Sequence, residues 1–149
     1  METGLQKGER LANRLLDFSA DVLDVVAKLP NNLAGKMVAR QLVRCGPAAG
    51  AHYEEARGAE SRADFVHKLG VALKELRETV HWIKLIDRAR LSPNRDLNPL
   101  IREGGELIAI LTAAARTARS RPADARRPSS DRLTAPPQIS DLRSPISDL

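Results

Sequence analysis

The sequence predicts an all-α protein, an antiparallel up-down-up-down four-helix bundle, on three observations. Its composition is dominated by alanine, leucine and arginine, and its only aromatic residues are Phe18, Tyr53, Phe65 and Trp82. Sandwiches and barrels draw on aromatic and β-branched side chains, whereas this mixture favours helices. Four segments repeat apolar residues at helical spacing. The breaks between them are short, and short connections between long helices make antiparallel neighbours.

Helix 1 is expected from about Lys7 to Leu29, stopped by Pro30, with Leu11, Leu15, Phe18, Val22, Val25 and Leu29 on one stripe. Asn31 or Asn32 caps helix 2, which sends Leu33, Met37, Val38, Leu42, Cys45 and Ala49 inward. Gly46-Pro47 interrupts it, because proline lacks an amide donor and crowds the preceding turn, so a kink is expected before the helix continues to about Arg57. After a loop over Gly58–Arg62, helix 3 runs from about Ala63 to Ala89 with a core stripe of Phe65, Leu69, Ala72, Leu76, Val80 and Ile83. Leu91–Asn98 connects to helix 4, with Asn98 as cap and Pro99 at the first helical position. Helix 4 reaches about Arg119, with Leu100, Leu107, Ile108, Leu111 and Ala115 inward.

At 149 residues and 42% hydrophobic, the chain holds one modest domain. The bundle is assigned to 1–119. Residues 120–149 carry five prolines (122, 128, 136, 137, 145) and no apolar period, which reads as a disordered tail. Within it Ile-Ser-Asp-Leu occurs twice, at Ile139–Leu142 and Ile146–Leu149: a short docking motif, or a chance repeat in a solvated tail. No apolar run approaches the ~18 residues of a membrane span, and Met1–Lys7 has no signal-peptide core, so a cytoplasmic location without membrane partners is expected.

Helices 1 and 3 carry apolar residues on more than one line. On helix 3, Val71, Glu75, Glu78, Trp82 and Leu85 lie about 100° from the core stripe. On helix 1, Ala12, Leu16, Ala20, Leu23 and Ala27 oppose Asp17, Asp21 and Asp24. Such second lines either widen the core or form an interface between copies. The interface reading assigns Leu16, Leu23, Val71, Glu75, Glu78, Trp82 and Leu85 to self-association.

Net charge is +5, from 24 basic and 19 acidic residues. Helix 3 repeats Lys74, Arg77, His81, Lys84 and Arg88, and helix 2 repeats Lys36, Arg40 and Arg44. Each stripe alone reads as a solvated face. Repeated around a ring of copies, they form a positive surface for phosphate backbones, with Lys36, Arg40, Arg44, Lys74, Arg77, Lys84 and Arg88 as the nucleic-acid-binding candidates. Scarce aromatics leave no platform for stacked bases, so binding is expected to be sequence-indifferent and salt-sensitive.

No phosphate loop, nucleophile elbow or zinc-protease motif occurs, so no catalytic residues, cofactor or metal are expected. Glu78-Thr79-Val80-His81 has the Glu-x-x-His spacing of di-iron bundles, but the similar Asp64-Phe65-Val66-His67 is on the same helix. Cys45 excludes an internal disulfide and reads as a small buried hydrophobe.

The stretch Asp64-Phe65-Val66-His67-Lys68-Leu69-Gly70-Val71-Ala72-Leu73-Lys74-Glu75-Leu76-Arg77-Glu78-Thr79-Val80-His81-Trp82-Ile83 resembles helix 3 of the four-helix bundle family of proteins encoded in bacterial 23S rRNA intervening sequences. Gln41-Leu42-Val43-Arg44, Tyr53-Glu54-Glu55-Ala56 and Gly105-Glu106-Leu107-Ile108-Ala109-Ile110-Leu111 fit the same pattern, and the resemblance spans about Leu11–Arg119. It departs at Ala48-Ala49-Gly50-Ala51-His52, where the family has a Ser-aliphatic-x-x-Asn run, and at Pro47. The resemblance implies a homopentameric ring. A related branch, the accessory proteins of diversity-generating retroelements, consists of basic pentamers that bind nucleic acid and a reverse transcriptase. The expected function is therefore a non-enzymatic homo-oligomer that binds RNA or DNA. The alternative is a scaffold or accessory subunit for a protein such as a reverse transcriptase.

Overall fold

A computed structural model describes residues 3–120, and all of its regular structure is helical: α1 (Gly4–Ala27), α2 (Leu33–Arg57), α3 (Arg62–Arg88) and α4 (Asn98–Ser120). The packing order is a square, with α1 on α2, α2 on α3, α3 on α4 and a thinner contact of α4 with α1. Pairings along the helices give the directions. Glu9 meets Arg57 and Ser19 meets Gly46 across α1 and α2, while Arg14 meets Glu103 and Asp24 meets Arg95 on the α4 side. Both neighbours of α1 therefore run antiparallel to it. Among the described residues no helix is long and apolar enough to cross a membrane.

Helix starts differ from the sequence expectation where a cap takes over. Thr3 forms a capping box with Gln6, so α1 begins at Gly4 rather than Lys7, and it ends at Ala27, ahead of Leu29. Asn32 caps α2 through Gly35 N–H at 2.9 Å. Asn98 does not cap α4. It is the first helical residue, its own N–H and side-chain amide donate to Asp96 Oδ1 at 3.0 and 2.8 Å, and Leu97 C=O accepts from Ile101. The signal misled because Asn98 and Asp96 are both good caps, and the carboxylate also favours the positive helix end. Pro47 lies inside a continuous α2. Ser120, assigned to the tail, closes α4, and the remaining tail with its repeat lies outside the described residues.

The core fills with Leu15, Phe18, Val22 and Val25 from α1, Leu42 and Cys45 from α2, Leu69, Leu76 and Ile83 from α3, and Leu107 and Leu111 from α4. Two α2 residues expected inside are outside: Leu33 is 87% exposed and Met37 43%. They lie about 180° and 140° from Leu42 around the helix, and Gly35 and Val38 occupy that end of the inward stripe instead. Phe65 and Ile108 are only half-buried. Conversely, Leu73, Thr79, Ile86 and Gly104 are buried, as is Leu97 in the α3–α4 connection. Thr79 is tolerated inside because its hydroxyl donates back to Glu75 C=O at 2.8 Å. Ser19 does the same to Leu15 C=O at 2.8 Å.

Arg14 ties α1 to α4. Its Nε and one Nη donate to the two carboxylate oxygens of Glu103 at 2.9 and 2.8 Å, and that Nη also donates to Glu106 at 2.9 Å. The paired carboxylates push its pKa up. A third of the Arg14 and Glu103 side chains remains exposed, so solvent screens the fork. Arg14→Ala is expected to cost about 1 kcal/mol, read as a lower urea midpoint at unchanged slope.

Candidate nucleic-acid and self-association surfaces

The helical turn sets the lateral positions on α3. Measured from the buried Leu76 at about 100° per residue, Lys84, Arg77, Arg88 and Lys74 fall between about 80° and 160° on one side. Val71, Glu75, Trp82 and Glu78 fall between about 100° and 160° on the other. Val80, on the cationic side, is the contact to Gly104 of α4. Glu75 and Glu78, on the opposite side, meet Arg44 of α2. The α3 cations therefore flank α4, and the expected interface line flanks α2.

Lys74, Arg77, Lys84 and Arg88 are exposed and make no hydrogen bond or ion pair with another described residue. His81 is exposed among them. From Lys74 to Arg88 the line runs about 21 Å along the axis. Across the groove, the outward side of α4 offers Gly105, Ala109 and Arg116, while its acids Glu103 and Glu106 turn toward α1 and Arg14. No carboxylate of α4 neutralises the α3 cations.

The three α2 cations are placed differently. Arg44 is drawn against Glu75 and Glu78. The Glu78 carboxylate raises the Arg44 pKa, and Arg44, followed by the Trp82 indole N–H at 3.3 Å, holds the Glu78 carboxyl below its usual range. Lys36 and Arg40 are exposed and make no ion pair with a described residue, yet they stand among apolar side chains. Exposed Leu33, Met37 and Val43 share α2 with them, and Leu16 and Leu23 of α1 and Leu85 of α3 lie along its two edges. The structure thus gathers four of the seven nucleic-acid candidates into one line and leaves Lys36, Arg40 and Arg44 on another side.

The interface candidates divide as well. Leu16 is 67% exposed and Leu23 is exposed, both on the α1 edge that meets α2. Val71, Glu75, Glu78 and Trp82 are half-buried, and Trp82 packs against the core of its own chain. Its ring meets His81 edge-on with centroids 5.3 Å apart. Leu85 is exposed. Periodicity missed the Arg44–Glu75–Glu78 cluster because its members sit on two helices, where no wheel of one helix shows them together.

The Glu78 contact also gives a pH dependence. A carboxyl held below its unfolded value, as Glu78 is by Arg44 and Trp82, adds stability above that unfolded value and loses it as pH falls through the lowered folded value. Wild type is expected to lose stability more steeply than Glu78→Gln between pH 5 and 3 in urea titrations, each pH being about a step in that window. Asp24, Asp64 and Asp96, also held low by their hydrogen-bond partners, keep a residual slope in the variant.

The Glu78-x-x-His81 spacing does not converge on one point. Glu78 faces Arg44 and Trp82, whereas His81 lies exposed in the cationic line. Cys45 is fully buried, and burial pushes its thiol pKa up, away from nucleophilic use.

Comparison with known proteins matches residues 10–113 to the family described as 23S rRNA-intervening sequence protein. No curated protein matches the chain. Among solved structures, the chain is similar to a protein of unknown function from the S23 ribosomal protein family of Bacteroides thetaiotaomicron. The identity is 28% and the TM-score 0.67, over 74% of this chain and 98% of that one.

Proposed function

Because this chain belongs to the 23S rRNA-intervening sequence protein family and shares its fold with a solved protein of unknown function, we propose that it is a non-enzymatic, self-associating bundle that binds nucleic-acid backbone through the outer side of α3. The observation that carries the reading is the line of Lys74, Arg77, Lys84 and Arg88, without ion pairs among the described residues, beside an α4 flank without acids. A cation already satisfied by a carboxylate gains little from a phosphate, and among the described residues none of these four holds a carboxylate in an ion pair, Glu78 acting on Lys74 only at longer range. The α3 side is a better fit than the α2 side, where Arg44 is engaged and Lys36 and Arg40 interrupt apolar surface. Self-association uses the edge between α2 and α3, where Leu33, Met37 and Leu85 are exposed beside Trp82. Copies joined there into the ring would repeat the α3 line around the assembly.

A filter-binding titration of structured RNA tests the binding. Arg77→Glu with Arg88→Glu is expected to weaken binding on the order of 100-fold at low salt and to flatten its salt dependence. Lys36→Glu with Arg40→Glu is expected to change it by less than about threefold. No binding by the wild type, or equal loss in both pairs, rejects the assignment to α3. For self-association, Met37→Glu with Leu85→Glu should bring the mass by light scattering towards that of one chain; an unchanged mass rejects that edge. The exposed apolar side of α2 also favours the scaffold reading, in which a protein partner covers it. A pull-down that returns a stoichiometric protein and no nucleic acid supports that reading instead.

A further inference from the structure

The groove between α1 and α2 is used by neither surface above. Ala12 and Leu16 of α1 and Pro47, Gly50 and Ala51 of α2 line it, Glu9, Asn13 and Glu54 rim it, and it encloses about 290 Å³. Along its length Leu16 is followed by Leu23, and Pro47 is followed by Val43, itself 52% exposed. The groove is apolar in its middle and charged at its ends. At one end Glu9 and Glu54 share the single guanidinium of Arg57. At the other stand Lys36 and Arg40, exposed and without an ion-pair partner among the described residues.

We propose that the two Ile-Ser-Asp-Leu copies of the tail, Ile139–Leu142 and Ile146–Leu149, dock in this groove. Three features match the segment to it. The first is apolar content: Ile139, Leu142, Ile146 and Leu149 are the apolar ends of the two copies, and the groove offers two apolar stations, one at Leu16 and Pro47 and one at Leu23 and Val43. The second is the order of charge. Residues 121–138 carry Arg121, Arg126, Arg127 and Arg132 against Asp124 and Asp131, which suits the glutamate rim, whereas residues 139–149 carry Asp141 and Asp148 against the single Arg143, which suits Lys36 and Arg40. The third is reach. Ser120 ends α4 at the end of the bundle where α1 begins and α2 finishes, because α1 runs antiparallel to both, and Glu9 and Glu54 mark that same end. Residues 121–138 can span about 60 Å when extended, several times the ~10–12 Å width of a helix.

A tethered segment needs little intrinsic affinity, since the linker supplies an effective concentration of order millimolar. Docking also gives Lys36 and Arg40 a partner inside the chain. It is independent of RNA binding by α3, so either reading can fail alone.

Cross-linking of the full chain tests it. In a Cys45→Ala background, Ala51→Cys with Leu142→Cys places one thiol in the groove and one in the tail, and Ala113→Cys with Leu142→Cys serves as a control on the exposed side of α4. Under mild oxidation the groove pair is expected to cross-link about tenfold faster than the control, although both enjoy similar tethering. A product of single-chain size shows a tail in its own groove, and one of two-chain size linking Ala51→Cys to Leu142→Cys shows it in a neighbour's; both support the proposal. Adding Leu16→Asp and Val43→Asp, at exposed sites that leave helicity intact by circular dichroism, should reduce the rate to that of the control. Equal rates for the two pairs, or a rate unmoved by the two aspartates, overturn it. So does a dominant adduct between two Ala51→Cys thiols, which would show a second copy covering the groove.

Discussion

Phe18→Ala is expected to lower the unfolding free energy by about 4 kcal/mol, the middle of the range for truncating a buried aromatic side chain. Phe18 is 1% exposed and packs between α1 and α4, its ring edge turned to Gly104. Its removal forfeits apolar transfer energy and leaves a void that Leu15 and Val22, themselves fully buried one turn away on either side, are not free to fill. Thermal unfolding followed by circular dichroism should show the midpoint fall by more than about 10 °C. The exposed Leu16→Ala, two residues away, should change it by no more than about 2 °C, since a surface truncation stays within about 0.5 kcal/mol. A small shift for Phe18→Ala would contradict the placement of α1 against α4.

Gly104→Leu is expected to cost about 3 kcal/mol by the opposite mechanism, overpacking. A Cβ at Gly104 would lie 2.4 Å from Val80 Cγ2 and 3.2 Å from Phe18 Cζ. Val80 cannot swing away easily, because its branched side chain is stiff within a helix. Gly104→Leu therefore forces α4 off α1 and α3, and the cost exceeds the ~1 kcal/mol that replacing a helical glycine otherwise gains. The coupling is specific: in a Val80→Ala background the same substitution should cost at least about 1 kcal/mol less, a double-mutant interaction between touching residues. Urea midpoints of the four proteins give that difference, and additive losses would show that Gly104 does not mark the close approach. Gly105, next along α4, has open space around a Cβ and should accept alanine with a small gain.

The cationic site shows how far a sequence can be read. Lys74, Arg77, Lys84 and Arg88 were legible as one line because they share one helix, whose turn places residues three, four and seven apart on one side. Arg44 looked equivalent on the same grounds. What cancels it, the pair Glu75 and Glu78, belongs to a different helix thirty-odd residues on, about the separation at which local pattern carries no information. Leu33 and Met37 failed for another reason: α2 is apolar on several sides, so hydrophobicity alone did not single out its inward stripe. Gly35, Gly46 and Gly104 were invisible as packing residues, since a missing side chain leaves no periodic trace. Yet a Cβ on Gly46 would lie 2.7 Å from Val22 Cγ1.

By itself the sequence determined the number of helices, nearly all of their extents and the angular separation of charged and apolar lines on each one. These follow from backbone propensity, caps and a period of 3.6 residues, all properties of a few consecutive turns. Only the tertiary structure decided that α4 stands on the cationic side of α3 and α2 on its acidic side. A helical wheel fixes angles within one helix, but the mirror-related order of neighbours around a bundle would satisfy the same four wheels. The choice between them is made by contacts such as Phe18 with Gly104 and Arg44 with Glu78, which exist only once the helices have packed.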